Sequence, residues 1–289
     1  MKLVTWNTQW CCGNDGVVSP QRIVDGARAM ADFDVLCLQE IAVNYPELEG
    51  NASHDQPALL RELLPGFQLF FGAAVDEWNP QMPQVGRQQF GNLIATRLPV
   101  VHVQHHPLPY PPDGGTRSMP RMCTVVTLLD PQLGPVRVMT THLEFYSKPQ
   151  RIAQARGLRD LHLQYTGHAL AQPEPSDDGS PFQSKVHTHQ TILCGDFNLE
   201  AHEPEYAELT AWPGAGLTDG ALHDAWRALH GGGVQQPPTF RLHDRRYGPV
   251  PIICDFVFVS ESLKTHVKRM EIDGETQVSD HQPVLVELG

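Results

Sequence analysis

Six apolar runs, spread along the 289-residue chain, each carry a chemically capable polar residue at one end, just beyond it or within it. They present Asn7, Glu40, His142, Asp196 with Asn198, Asp255, and Asp280 with His281. Runs of four to eight apolar residues rich in Val, Ile, Leu and Cys suit strands buried on both faces, which occur when helices cover a sheet. Open α/β sheets place their ligands at strand ends. Chance supplies one or two such residues; six of this chemistry point to an active site.

The stretch read as TILCGDFNLE, residues 191–200, is the most informative. An apolar strand at 191–194 meets Gly195, which permits a tight turn. Asp196 and Asn198 follow, one residue apart. At a strand end that spacing aims a carboxylate and an amide into one pocket, where the first binds a metal or takes a proton from water and the second orients that water. Alone, the stretch reads equally well as a strand and an Asx turn. Asp255 differs, because it lies inside the apolar run at 252–259, where a carboxylate is costly to bury unless paired.

Between these runs the pattern predicts helices from Ser19-Pro20, over 57–64, over 149–165 with Arg151 and Gln154 in the first turn, and over 203–211. Further strands are expected at 67–72, 90–96 with Gly91-Asn92 near its start, 99–103, 122–129, 136–141, 265–272 and 283–288. Residues 73–89, carrying Trp78 and Arg87, read as irregular, as do 166–190 and the region from 211 to 251. The Pro- and Gly-rich loop at 107–120, with Tyr110, Arg117 and nearby Arg121, is a candidate substrate wall. The whole chain, 1–289, is expected to form one domain, and a monomer.

Charge limits the partners. With 33 acidic and 21 basic residues the net charge is −12, which argues against a broad basic face for nonspecific DNA binding. A nucleic-acid substrate still fits, since a metal cation and a few arginines can hold one or two phosphates. No run approaches a membrane helix, and the first ten residues read as a strand rather than a signal peptide, so no membrane insertion and a cytoplasmic location are expected. Of the six cysteines, Cys37, Cys123, Cys194 and Cys254 sit in apolar runs and behave as small hydrophobes, without zinc-site spacing. His105-His106 and His187-x-His189 read as surface groups in loops.

Taken together, TWN at 5–7, LQE at 38–40, GN at 91–92, THL at 141–143, GDFN at 195–198, DFVFVS at 255–260 and SDHQPV at 279–284 resemble the endonuclease/exonuclease/phosphatase superfamily, in its order and over nearly the whole chain. The resemblance implies an α/β fold, a four-layer α/β sandwich with two mixed sheets face to face and helices outside. It also implies a phosphoesterase using Mg²⁺ or Mn²⁺, with Glu40 as principal ligand and Asn7 and Asp280 completing the shell. By the same resemblance Asp196 orients or deprotonates the attacking water, and Asn198 holds it or a phosphate oxygen. His281, held by Asp255, donates to phosphate, and His142 stabilises phosphate or assists the leaving group. Asn92 and Arg121 are candidate substrate contacts, while Arg151 and Gln154 buttress the site. The THLE segment with its later Arg and Gln is closest in style to deoxyribonuclease and tyrosyl-DNA phosphodiesterase, and the abasic-site nucleases' tyrosine has no counterpart here. The expected reaction is hydrolysis of a phosphodiester, nucleases included; the alternative is a phosphatase or phosphodiesterase acting on a small molecule or lipid head group.

Overall fold

The computed structural model describes residues 1–289 apart from 53, 81, 82, 85, 213, 215 and 216. In chain order the elements are β1 (Lys2–Asn7), α1 (Pro20–Met30), β2 (Val35–Val43), α2 (Gln56–Leu63), β3 (Gln68–Trp78), β4 (Arg87–Thr96), β5 (Val100–Pro107), β6 (Met122–Asp130), β7 (Gly134–His142), α3 (Lys148–Leu170), β8 (Thr191–Asp196), α4 (Pro204–Thr210), β9 (Leu222–Asp224), α5 (Ala225–His230), β10 (Asp255–Ser260), β11 (Val267–Ile272) and β12 (Val284–Leu288). They form two mixed six-stranded sheets, ordered β11-β12-β1-β2-β4-β3 and β5-β6-β7-β8-β10-β9.

Each sheet is built around one parallel pair, β1/β2 in the first and β7/β8 in the second, with antiparallel strands outside it. The crossovers run through α1 and α3. Ser19 caps α1 by accepting from the Arg22 N–H, and Ser147 caps α3 by accepting from the Gln150 N–H, both at 3.3 Å, with proline in the first turn of each helix. Three apolar layers separate four structural ones. Leu3, Val35, Val126, Val138, Ile192 and Val257 meet between the sheets. Val4, Trp6, Ile23, Ala27, Leu36 and Leu60 seal α1 and α2 onto the first sheet. Met139, Ala155, Leu158, Leu193, Phe197 and Phe258 seal the helices α3 and α4 onto the second. The strands are apolar on both faces because each face meets a layer, so the expected four-layer sandwich is the observed one.

Several boundaries differ from the sequence reading. The segment at 73–89, expected to be irregular, is largely paired: β3 and β4 run on to Trp78 and from Arg87, whose guanidinium pairs with Asp76 across the ribbon. Polar residues hid this, since the ribbon is solvated there; 81, 82 and 85 lie outside the described residues. Strand β5 reaches Pro107, so His105 and His106 are strand residues. Helix α3 continues to Leu170, five residues beyond the expected end. The loop-rich region after 211, of which 213, 215 and 216 lie outside the described residues, still forms β9 and α5. Among the described residues no helix is long and apolar enough to cross a membrane.

Candidate active site

The C-terminal ends of the two central parallel pairs meet at one end of the sandwich, so β2, β7 and β8 deliver Glu40, His142 and Asp196 to one cavity, and β1 sets Asn7 against Glu40 and Asp196 behind its wall. Antiparallel β10 and β12 enter from the same end, bringing Asp255 as the first residue of β10 and Asp280-His281 just ahead of β12. Asp255 therefore starts its strand rather than interrupting it, which corrects the sequence reading.

Local backbone geometry sets two of these side chains. Strand β2 does not end at Glu40 as expected but continues to Val43, and its register against β4 shifts between Leu38 and Ile41. Glu40 sits in that bulge at φ +61°, an uncommon conformation for a residue with a side chain, and its carboxylate faces the cavity. Gly195 has φ +138°, and a Cβ there would lie 2.0 Å from the Thr141 carbonyl oxygen, so β7 and β8 approach this closely only with glycine. The next turn closes when the Asn198 N–H donates to Asp196 Oδ1 at 2.9 Å.

A polar network links the two sheets. Asn7 Nδ2 donates to Asp196 Oδ2 at 2.9 Å and to Glu40 Oε1 at 3.2 Å, while its Oδ1 accepts from the Gln9 N–H at 3.1 Å. Asn198 Nδ2 donates to the Leu143 carbonyl and to His142 Nε2, both at 2.9 Å. The amide has only hydrogens to offer, so His142 Nε2 accepts and its proton belongs on Nδ1, 3.8 Å from Glu40 Oε1. His281 Nδ1 lies 2.9 Å from Asp255 Oδ2, and its Nε2 lies 3.6 Å from Asp196 Oδ2. Phe240 stacks on the His281 ring at 4.2 Å, Trp6 Nε1 donates to the His281 carbonyl at 2.9 Å, and the Ser279 hydroxyl donates to the Asn7 carbonyl at 2.8 Å. Asp280 lines the cavity beside Glu40.

These positions give the two histidines opposite characters. Burial works against a proton on His281, but the Asp255 and Asp196 carboxylates outweigh it and raise the ring to about 10. Burial, then the charge of Arg121, pulls His142 down to about 3, so it is neutral at pH 7. Burial and the neighbouring Asp280 raise Glu40 to about 7, and burial raises Asp280 as well.

Arg121 is buried at the cavity wall, its Nε donating to Glu144 Oε2 at 3.1 Å while its Nη1 finds no partner. Glu144 also accepts from the Met119 and Tyr146 N–H groups, and its segment is held by Gln154 Oε1 and by Arg151, which donates to the Glu144 and Phe145 carbonyls. Asn92 lies behind this wall, donating to the Met122 carbonyl at 3.2 Å. Arg117 reaches the cavity and sits 5.5 Å from the Tyr146 ring centroid. Trp78, Arg87 and Tyr110 do not line it.

The cavity measures about 300 Å³, and its walls include Trp10, Phe145, Tyr146, Phe240 and Tyr247. Sequence reasoning missed these aromatics and Glu144, because they stand on loops with no periodicity. The only available signal was the acid following THL. Among the described residues, Asp196, Cys254 and His281 form the one His/Cys/Asp/Glu trio whose ligand atoms lie within 4.8 Å of one another. Burial holds the Cys254 thiol well above its ordinary range, away from the thiolate that binds metals, and the protonated His281 ring has no free lone pair to offer. The oxygen set of Glu40, Asp280 and Asn7 is the better match to a hard divalent cation.

Compared with the curated proteins, the sequence finds no match. Solved structures share the fold. An endonuclease/exonuclease/phosphatase from Beutenbergia cavernae is 25% identical with a TM-score of 0.70, covering 100% of this chain and 72% of that one. A mannosyl-6-phosphatase from Bacteroides thetaiotaomicron is 20% identical with a TM-score of 0.65, covering 100% and 99%. Truncated TDP2 from Caenorhabditis elegans is 17% identical with a TM-score of 0.63, covering 100% and 97%. The sequence also matches the endonuclease/exonuclease/phosphatase family over residues 4–281, and the chain accordingly belongs to that family of phosphoester hydrolases.

Proposed function

We propose that the chain is a divalent-cation-dependent phosphodiesterase acting on a compact, ring-bearing substrate. One observation supports this above others: the charge balance of the cavity. Glu40, Glu144, Asp196 and Asp280 line it, and Asp255 pairs with His281; against these five carboxylates stand Arg117, Arg121 and the His281 imidazolium. One divalent cation cancels the remaining two negative charges. A cavity made neutral in this way takes the singly charged phosphate of a diester more readily than the doubly charged phosphate of a monoester.

The donor set fits Mg²⁺ or Mn²⁺. Glu40 and Asp280 are buried at some cost, Glu40 also feeling the Asp280 charge, as their raised affinities for protons record, and a hard cation relieves that cost. Glu40 and Asp280 would hold the ion, with Asn7 completing the set directly or through water. When bound, the ion supplies Lewis-acid polarisation of a phosphoryl oxygen.

The chain's own residues do the rest. Asp196, fixed by Asn7 and by its turn, orients the attacking water and takes its proton through Oδ2. Asn198 holds His142 in the tautomer that presents Nδ1–H toward the cavity, so His142 donates as a neutral imidazole. His281 donates from Nε2 to a phosphoryl oxygen as charge builds there, and Asp255 keeps it protonated. Arg121, on the cavity wall, supplies positive charge to the phosphate. Asn92 supports the strand behind it. The aromatic walls stack the organic group, and the net charge of −12 disfavours a long duplex.

A second reading, hydrolysis of a small-molecule monoester, gains support from Arg117 and Arg121 lying on the same wall, and from the fold shared with a mannosyl-6-phosphatase. The test of the shared chemistry is Asp196→Asn. We expect kcat to fall about 10²- to 10⁴-fold with an unchanged melting temperature. Retention of most of the activity would remove Asp196 from its assigned role.

A further inference from the structure

A second cavity, of about 150 Å³, lies on the opposite flank, between β5–β7 and the second half of α3, and His102, Gln104, His106, Arg137, His168 and His187 help line it. Its lining includes no aspartate or glutamate. Val136 and Val138 point into the inter-sheet core, so strand alternation turns Arg137 to the helix side. Register sets His102 opposite Thr127, Thr127 opposite Arg137, and Arg137 opposite Thr191, giving one polar row across four strands.

Arg137 is 1% exposed. Its guanidinium lies 4.1 Å above the Tyr165 ring centroid, donates from Nη1 to Thr191 Oγ1 at 2.9 Å, and donates from Nη2 to the Thr188 carbonyl. Its Nε has no partner, and among the described residues no carboxylate pairs with it. Burial with only neutral acceptors is costly for a guanidinium, and here it pulls Arg137 down to about 10. Such a group wants a counter-charge. The histidines do not form a metal set, since the one compact ligand trio among the described residues lies in the active site. Burial pulls His102, His106 and His187 below their ordinary range, which leaves neutral rings with N–H groups to donate.

We propose that this cavity is a binding site for a small tetrahedral oxyanion of the phosphate or sulfate class, with Arg137 as its charge partner and His102 and His187 as donors at its mouth. The volume corresponds to about five waters at roughly 30 Å³ each, enough for such an ion and too little for a nucleotide. An anion there ties β5, α3 and the segment around His187 together. The site is separate from the catalytic one: Arg137 and His142 are both on β7, five residues or about 17 Å apart along the strand. It does not depend on the reaction proposed above.

Sulfate titrated by calorimetry into the metal-free full chain, in chloride buffer with EDTA, tests it. The His281→Ala variant should still bind one sulfate per chain and gain thermal stability from it. Arg137→Met should abolish that binding. If Arg137→Met does not fold, the His102→Leu/His187→Leu variant, altered only at the half-buried mouth, should weaken it about tenfold or more while leaving hydrolysis unchanged. The proposal is overturned if sulfate binding disappears in His281→Ala, or if it survives undiminished in whichever of the other two variants folds.

Discussion

Glu144→Gln isolates the cavity wall from the chemistry. The Glu144 side chain is 1% exposed and that of Arg121 is 6% exposed, so their ion pair is almost wholly desolvated. Glutamine keeps the shape and one acceptor but removes the charge facing a buried guanidinium. Charge-assisted hydrogen bonds contribute about 1.5–3 kcal/mol, and breaking a buried pair from one side costs about 3–5 kcal/mol. Glutamine's retained carbonyl recovers part of this, so we expect a loss of about 2–4 kcal/mol. At about 2 °C per kcal/mol for a chain of this size, the melting temperature should fall by roughly 4–8 °C. The wall also positions Arg121, so KM should rise more than kcat falls. Urea unfolding and steady-state kinetics read both effects. The Arg121→Met/Glu144→Gln double variant, in which no guanidinium is stranded, should recover stability with a coupling of about 2 kcal/mol. If Glu144→Gln unfolds within about 0.5 kcal/mol of wild type with its KM unchanged, the pair does not organise the wall as argued.

Other predictions follow from the same geometry. Gly195→Ala places a Cβ 2.0 Å from the Thr141 carbonyl oxygen at φ +138°, so the β7/β8 pair must open and urea unfolding should show a loss of more than about 3 kcal/mol or no soluble protein. In EDTA, stability should be level between about pH 4.5 and 6.5 and decline on both sides, because the His142 and Glu40 contributions oppose each other in that window. His281 is raised from 6.5 to about 10, so its contribution is full below 6.5 and is lost as pH rises through 10. Glu40, raised from 4.5 to about 7, adds a loss of the same sign at lower pH. His142, lowered from 6.5 to about 3, removes stability as pH falls from 6.5 toward 3. Melts in a pH series check this, and Asp255→Asn should flatten the alkaline limb; an unchanged limb would mean that His281 is not held protonated by Asp255.

What the sequence revealed and what it concealed have a common cause. The core strands were legible because burial on both faces leaves unbroken apolar runs, and the residues capping them were legible because six strand ends with polar groups of this chemistry exceed what turns alone require. Glu40 was legible as a candidate but not in its conformation: the apolar Ile41-Ala42-Val43 after it gave no sign of a bulge, which only the register against β4 reveals. The solvated strand ends Val75–Trp78 and Arg87–Gln89 lacked apolar alternation and so passed for loop. The cavity's aromatic walls come from three segments far apart in sequence, at Trp10, at Phe145-Tyr146 and at Phe240 with Tyr247, that only the completed fold assembles. Arg137 was invisible for a simpler reason. A single arginine between two valines reads as the solvent face of a strand, and only the packing of Tyr165 from α3 over that face covers it.

The central claim is tested most directly by hydrolysis of bis-(p-nitrophenyl) phosphate beside p-nitrophenyl phosphate, each with Mg²⁺, with Mn²⁺ and with EDTA. The cavity's charge balance predicts that the diester is cleaved faster than the monoester with either metal, and that EDTA abolishes both reactions. Faster monoester cleavage would contradict the diester assignment and favour the small-molecule phosphatase; full activity in EDTA would contradict the assignment of Glu40 and Asp280 to a divalent cation.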